Sequence, residues 1–230
     1  MAVDNVHNHS QGDSDHTVQY DRVEARRCMV DEQLRTRGIT DSALLQAMLE
    51  VPRHLFVSNE LQEQAYMDRA LPIEQGQTIS QPFIVAHMTQ ALQARPDACV
   101  LEIGTGSGYQ AAILSRLVAH VYTVERHAAL AQLAAIRFAQ LGYANISIYV
   151  GDGTTGWAEH APYDNAIITA SGPRIPWGVV KQVRRGGNIV LPIGGRKNQH
   201  LERLGVRRFG VSRENLGKVQ FVPLIGQDGW

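Results

Sequence analysis

The chain has 230 residues, 44% of them hydrophobic, which is enough length and apolar material to bury a substantial core and excludes disorder throughout. Its 22 basic and 22 acidic side chains cancel, which argues against a dedicated nucleic-acid clamp and against a polybasic membrane anchor. Cys28 and Cys99 lie far apart, so neither a disulfide framework nor a zinc spacing is present, and no apolar run approaches the roughly 20 residues that span a bilayer. No basic-then-apolar leader is visible, and a cytoplasmic protein that neither enters a membrane nor binds nucleic acid is expected.

Residues 4–16 read DNVHNHSQGDSDH and hold almost nothing to anchor them, so residues 1–19 are expected to form a disordered tail. His7, His9 and His16 read as solvated tail residues, and no metal site is expected. From Tyr20 to Gly38 the pattern is helical, with Val23, Met29, Val30 and Leu34 near one face and Gly38 as the stop. Asp41 is positioned to cap a second helix through Met48, closed by Pro52. The segment Leu71–Pro82, with two prolines, a glycine and little periodicity, is a loop, and Phe83, Ile84, Ala86, Met88 and Leu92 suggest the helix after it.

From Ala98 the texture changes. Apolar runs at 99–103, 121–124, 146–150, 166–169 and 188–193 read as strands, and amphipathic helices fall at 110–118 and 128–141. Continuous apolar strands alternating with helices mean a parallel sheet covered on both faces. His200–Arg208 and Lys218–Leu224 read as two antiparallel strands at its edge. The expected fold is therefore α/β: a doubly wound, Rossmann-like, mainly parallel sheet of seven strands. It divides into a helical cover and loop (20–97), a cofactor-binding core (98–193) and C-terminal antiparallel strands (194–230). The order of the last two strands is left open.

The first strand of that core ends in Glu102-Ile103-Gly104-Thr105-Gly106-Ser107-Gly108-Tyr109. Glycines at a strand-to-helix turn let the backbone approach a ligand, and the helix N-terminus beyond offers free N–H groups. In the dinucleotide fingerprint the third glycine comes one position later, so this spacing suits a ligand without a pyrophosphate. Glu125, at the end of the next strand, is well placed for both hydroxyls of a ribose. Asp152, between Gly151 and Gly153 after the third, can face an adenine amino group. Turn and acids together indicate an adenosine-containing cofactor. Trp157 and Tyr109 read as wall residues near it, whereas His87, His120, His127 and His160 read as ordinary surface or packed residues.

These residues also carry a resemblance. VLEIGTGSGYQAA (100–112) is similar to the S-adenosylmethionine motif of class I methyltransferases, in the form typical of the protein-L-isoaspartate O-methyltransferase family. ALPIEQGQTISQP (70–82) resembles that family's active-site loop, GDGTTGWAEHAPYD (151–164) its second signature and FVPLIG (221–226) its substrate-side strand. MVDEQLRTRGI and VPRHLFV in the helical cover are similar too. The resemblance implies that Glu102, Gly104, Thr105, Gly106, Ser107, Gly108 and Tyr109 hold the methionine part of S-adenosyl-L-methionine. It places Glu125 on the ribose, Asp152 and Gly153 beside the adenine, and Thr78 and Ser80 against the cofactor from the loop. Ser80 matches the family's active-site serine, and Gln77, Thr78, Ile79, Val222, Pro223 and Leu224 the acceptor side. The implied acceptor is the free α-carboxylate of an L-isoaspartyl residue in damaged proteins and peptides, and a monomer is expected.

Three positions depart from the family pattern: Glu74 where the loop reads P-I-G, Ser171-Gly172 in place of small alanines, and Arg174 where an acid is common. The first and third change charge near the acceptor side. Two other readings keep the cofactor, a methyltransferase for another carboxylate and a binding module that transfers nothing. A Ser80 nucleophile is disfavoured, because no G-x-S-x-G turn surrounds it.

Overall fold

The computed structural model describes residues 22–230; the expected tail and its three histidines lie outside the described residues. The chain opens with α1 (Val23–Cys28), which widens into a π turn at Met29–Leu34, tightens at Arg35–Arg37 and stops at Gly38 with a left-handed φ of 86°. Met29, Val30 and Leu34 are buried as expected, but Val23 is 46% exposed. It sits in the first turn of α1, where Arg26 takes the inward position instead and donates to the Glu50 carbonyl. Helix α2 (Ser42–Glu50) begins where the Asp41 carboxylate accepts the N–H groups of Ala43 and Leu44, at 3.0 and 3.1 Å. This satisfies two of the four donors that any helix start leaves free.

Within the expected loop, β1 (Leu71–Pro72) and β2 (Thr78–Ile79) pair as a two-rung antiparallel hairpin, too short to leave a periodic signal. Helix α3 (Pro82–Leu92) follows, with proline at its first position, where a missing N–H costs nothing.

The remaining strands form one sheet: β3 (Cys99–Ile103), β4 (His120–Glu125), β5 (Ile146–Val150), β6 (Asn165–Ile168), β7 (Asn188–Gly195), β8 (Asn198–Val206) and β9 (Val211–Val219), in spatial order 5-4-3-6-7-8-9. The first five run parallel, and β8 and β9 are antiparallel additions. Helices α4 (Tyr109–Ser115) and α5 (Ala128–Leu141) cross over between β3, β4 and β5. Only short turns and the single-turn α6 (Trp177–Val180) serve the later crossovers. Val100, Val121, Ile167 and Val190 face a core shared with α2–α5, while their neighbours Leu101, Ile103, Val124 and Ile168 face a second core on the other side. This period-two division makes the sheet the middle of three layers.

The last strand differs from expectation: it is Val211–Val219, not Lys218–Leu224. An edge strand exposed along most of its length needs no apolar run, and polar cross-strand pairs hold it instead. Arg213 is bidentate to Glu202 (2.6 and 2.7 Å), and Arg203 meets Glu214 directly across the ladder. Residues 221–224 leave the sheet edge and cross to β6, where Ser171 donates to the Val222 carbonyl and Leu224 donates to Ser171, both at 2.8 Å. Pro223 fits there because that bridge asks no N–H of it. No helix among the described residues is long and apolar enough to cross a membrane.

The Asp41 cap predicts that Asp41→Ala lowers stability by about 1 kcal/mol, read from the urea midpoint, and that Asp41→Asn recovers most of the loss.

Candidate active site

The chain leaves β3 towards β4 and β5 on one side and returns to β6 on the other, so the direction of winding reverses between β3 and β6. Ligands in open parallel sheets bind beyond the strand ends at such a reversal. A cavity of about 270 Å³ lies there. Its floor is the glycine turn after β3 together with Glu125 and Thr169 after β4 and β6. Its roof is the lid segment 77–80, and Val222–Ile225 closes one side.

The floor is built from backbone that tolerates no Cβ. Gly104 has φ 97°, and a Cβ there would lie 2.3 Å from Thr169 Oγ1, which itself donates to the Gly104 carbonyl at 2.8 Å. Gly106, at φ 52°, donates its N–H to Glu125 Oε2 at 2.9 Å, and Oε1 accepts from His127 N–H at the same distance. A carboxylate has about four lone-pair sites, so Glu125 keeps acceptor capacity for a ligand.

Of the residues expected at the cofactor, Gly104, Thr105, Gly106, Ser107, Tyr109, Glu125 and Gly153 border the cavity, as do Thr78 and Ser80 from the lid. Gln77, Ile79, Val222, Pro223 and Leu224, expected at the acceptor, border it too. Three residues do not. Gly108 lies beneath the floor, with φ 89° and the Phe138 ring 2.7 Å from where a Cβ would stand, and its role is to let α4 start against α5. Asp152 is not among the lining residues, and its carboxylate holds three donors: Oδ1 accepts the Thr154 N–H and hydroxyl, and Oδ2 accepts the Gln227 N–H at 2.8 Å. Burial pushes this acid upward, but the donors from Gln227 and Thr154 outweigh it and hold it below the ordinary aspartate range.

Glu102 is the third. It is fully buried under the turn, where Oε2 accepts the Thr123 hydroxyl at 2.5 Å, Thr123 contacts Thr105 at 2.7 Å, and Oε1 has no partner. Loss of water pushes its pKa to about 8, against the smaller opposing effect of Thr123.

Sequence patterns also misplaced two wall residues. Trp157 belongs to an aromatic cluster on the opposite face of the sheet, with Tyr122, Tyr149 and His160. His127 borders the cavity with a buried Nε2 that has no hydrogen-bond partner, because it stands at the start of α5 two residues after Glu125. The position just past a strand-end acid was the available signal. Glu74 is exposed in the lid turn. Arg174 pairs with Asp228 at 3.5 Å and donates to the Gln227 carbonyl, which ties the C-terminal segment down.

Behind the lid stands Arg53. Its Nε donates to the Ala65 carbonyl and its Nη2 to the Ser80 carbonyl, both at 2.7 Å. Burial lowers its pKa to about 10, so it stays charged at neutral pH. Burial pushes the Tyr109 hydroxyl upward, so that side chain stays neutral.

Comparison with known proteins adds a consistent set. A family profile described as protein-L-isoaspartate(D-aspartate) O-methyltransferase matches residues 25–229. A protein-L-isoaspartate O-methyltransferase of Protochlamydia amoebophila is 52% identical over 88% of this chain and 97% of its own length. One of Desulfosudis oleivorans is 53% identical over 90% and 94%. A solved protein-L-isoaspartate O-methyltransferase superposes with a TM-score of 0.81 at 28% identity, covering 89% of this chain and 67% of that one. A Plasmodium falciparum protein described by the same activity, solved with S-adenosyl-L-homocysteine, shares the fold: TM-score 0.76, 22% identity, 87% and 98% covered.

A carboxyl group that keeps its proton to about pH 8 when folded, but loses it near the ordinary glutamate value when unfolded, favours the folded state at low pH. That contribution fades as pH rises from the unfolded value through about 8. Stability of the parent should fall across this window. Glu102→Gln, which cannot ionise, should flatten the fall, a difference that urea unfolding at pH 5 and pH 8 will read.

Proposed function

Because the chain belongs to the protein-L-isoaspartate O-methyltransferase family, we propose that this cavity is where a methyl group passes from S-adenosyl-L-methionine to the free α-carboxylate of an L-isoaspartyl residue in a damaged protein. The observation that carries the assignment is that the glycine turn, Glu125, the Ser80 lid and Val222–Leu224, four elements distant in sequence, border one cavity.

The residues fit such a cofactor. The glycine turn brings its backbone to the cavity, Glu125 has unused acceptor sites for ribose hydroxyls, and Gly153 borders the side read as the adenine's. When bound, the cofactor supplies a methyl group activated by a sulfonium charge. Gly104–Ser107 and Tyr109 are read as holding its amino-acid end, and Glu125 its ribose. Asp152 is read as bracing the adenine side through Thr154 and Gln227.

The protein has little proton chemistry to perform. An α-carboxylate has a pKa of about 3.5 and is already ionised at neutral pH, so no general base is required. Rate comes from holding the carboxylate oxygen in the line of attack. A neutral hydroxyl on Ser80 can orient that oxygen without the ground-state stabilisation that a direct ion pair would bring. Ser80 serves no helix cap: Gln81 occupies that position, and no side chain caps α3. The Leu71–Ile79 hairpin gives the lid a frame from which to present Ser80. Val222–Leu224, pinned to Ser171, forms the wall along which the acceptor chain lies. The neighbouring backbone nitrogen then attacks the ester carbonyl, the C–OMe bond breaks and methanol leaves with the amide proton, and water opens the resulting succinimide, without further help from the protein. Two free cysteines accord with a cytoplasmic setting.

An isoaspartyl peptide should accept methyl groups while its aspartyl twin does not; equal rates, or none with either, would refute the acceptor assignment. Ser80→Ala should lower kcat by roughly ten-fold or more with cofactor affinity by calorimetry nearly unchanged.

A further inference from the structure

Burying a guanidinium without a counterion is costly unless its donors are matched. Arg53 is wholly inaccessible, and no carboxylate among the described residues forms an ion pair with it. Two of its nitrogens reach carbonyls, of Ala65 and Ser80. Its Cζ lies 4.8 Å from the centre of the Tyr109 ring, while Nη1 is buried with no hydrogen-bond acceptor. Ser80 and Tyr109 are both cavity walls. The cation therefore stands one residue deep behind the end of the cavity that the lid covers.

Two consequences follow from that placement. The Ser80 carbonyl is not used by α3, whose first backbone acceptor is Gln81, so Arg53 supplies the hydrogen bond that fixes this residue. An unneutralised positive charge behind a low-dielectric wall also favours an anion over a neutral group in the cavity. Lysine would keep the charge but lacks the planar fork that holds the Ala65 and Ser80 carbonyls together, so Arg53→Lys isolates the clamp.

We propose that Arg53 is a positioning residue for the acceptor: it pins Ser80 through its carbonyl, and its unpaired charge makes the lid end of the cavity selective for a carboxylate. The proposal rests on the reading of Ser80 as the hydroxyl that orients the acceptor. Arg53 does not itself touch the acceptor. Standing one residue back, it attracts the carboxylate without the direct ion pair that would slow its attack.

The test compares Arg53→Lys and Ser80→Ala, singly and together, with an isoaspartyl peptide. It reads kcat, KM, cofactor Kd by calorimetry and Tm. Arg53→Lys should leave cofactor Kd within about two-fold and lower kcat/KM for the peptide by about ten-fold or more; adding Ser80→Ala should then cost less than about three-fold, because clamp and hydroxyl act as one unit. Unchanged kcat/KM, effects that multiply, or cofactor affinity and activity falling in proportion would each overturn the proposal. Should Arg53→Lys not fold, the parent decides by 15N NMR. The slowly exchanging guanidinium Nε–H signal must shift when the isoaspartyl peptide joins the S-adenosyl-L-homocysteine complex, and no shift overturns the clamp. The parent assayed alongside keeps the claims apart: failure of the parent to methylate the peptide tells against the acceptor assignment, whereas a parent that methylates it together with any of the overturning results tells against the clamp alone.

Discussion

The contact between the Gly104 backbone and the Thr169 hydroxyl is the constraint on which the site depends. It joins the ends of β3 and β6 where the winding reverses, and it leaves no room for a Cβ. The Thr169 N–H reaches the Ile103 carbonyl and the Gly104 N–H reaches the Val124 carbonyl, so three neighbouring strand ends are tied to one another. The cavity floor is therefore as rigid as the sheet. A floor of this kind presents N–H groups and an acid in fixed positions, and it binds at little cost in ordering. The lid, by contrast, hangs on a two-rung hairpin and on Arg53.

Charge is divided along the cavity in the same way. Glu125 borders it with two backbone donors already on it, Arg126 lines it beside Glu125, and Arg53 stands behind Ser80 and Tyr109 with no carboxylate paired to it among the described residues. In the proposed reading Glu125 takes the cofactor's ribose and the charge of Arg53 favours the acceptor's carboxylate. Neither wall charge needs to contact the reacting atoms, and proximity remains the source of rate. The C-terminal segment belongs to the same design. Asp152, Arg174 and Ser171 hold residues 222–228 in place, so the acceptor wall is fastened to the strand ends that form the floor.

Much of this was legible in the residues. The strands 99–103 and 146–150 and the helix 128–141 match their expected bounds: the first is a buried central strand with a continuous apolar run, the second an edge strand that is still largely apolar, and the helix is periodic. What stayed hidden has physical causes. Strand β9 is polar because solvent takes most of its surface, so the apolar Phe221–Leu224 drew attention that belonged to Val211–Val219. Val23 shares the periodicity of its helix but not its packing. Gly108, Glu102 and Asp152 belong to motifs at the cofactor side, yet none of them borders the cavity, a distinction that motif spacing does not carry. Arg53 lies in VPRHLFV, which carries part of the resemblance, but its role gave no signal, for an arginine next to a proline reads as a surface turn until the fold buries it. Within the resemblance, Glu74 and Arg174 stood out as charge changes near the acceptor; the fold turns one to solvent and pairs the other with Asp228.

A crystal structure of the enzyme with S-adenosyl-L-homocysteine and an isoaspartyl peptide tests the central claim most directly. The cofactor should lie on the Gly104–Tyr109 turn with its ribose on Glu125, and an α-carboxylate oxygen should sit within hydrogen-bond distance of Ser80 Oγ, facing the sulfur. A cofactor bound away from that turn, or a carboxylate held far from Ser80 with the lid closed, would contradict it.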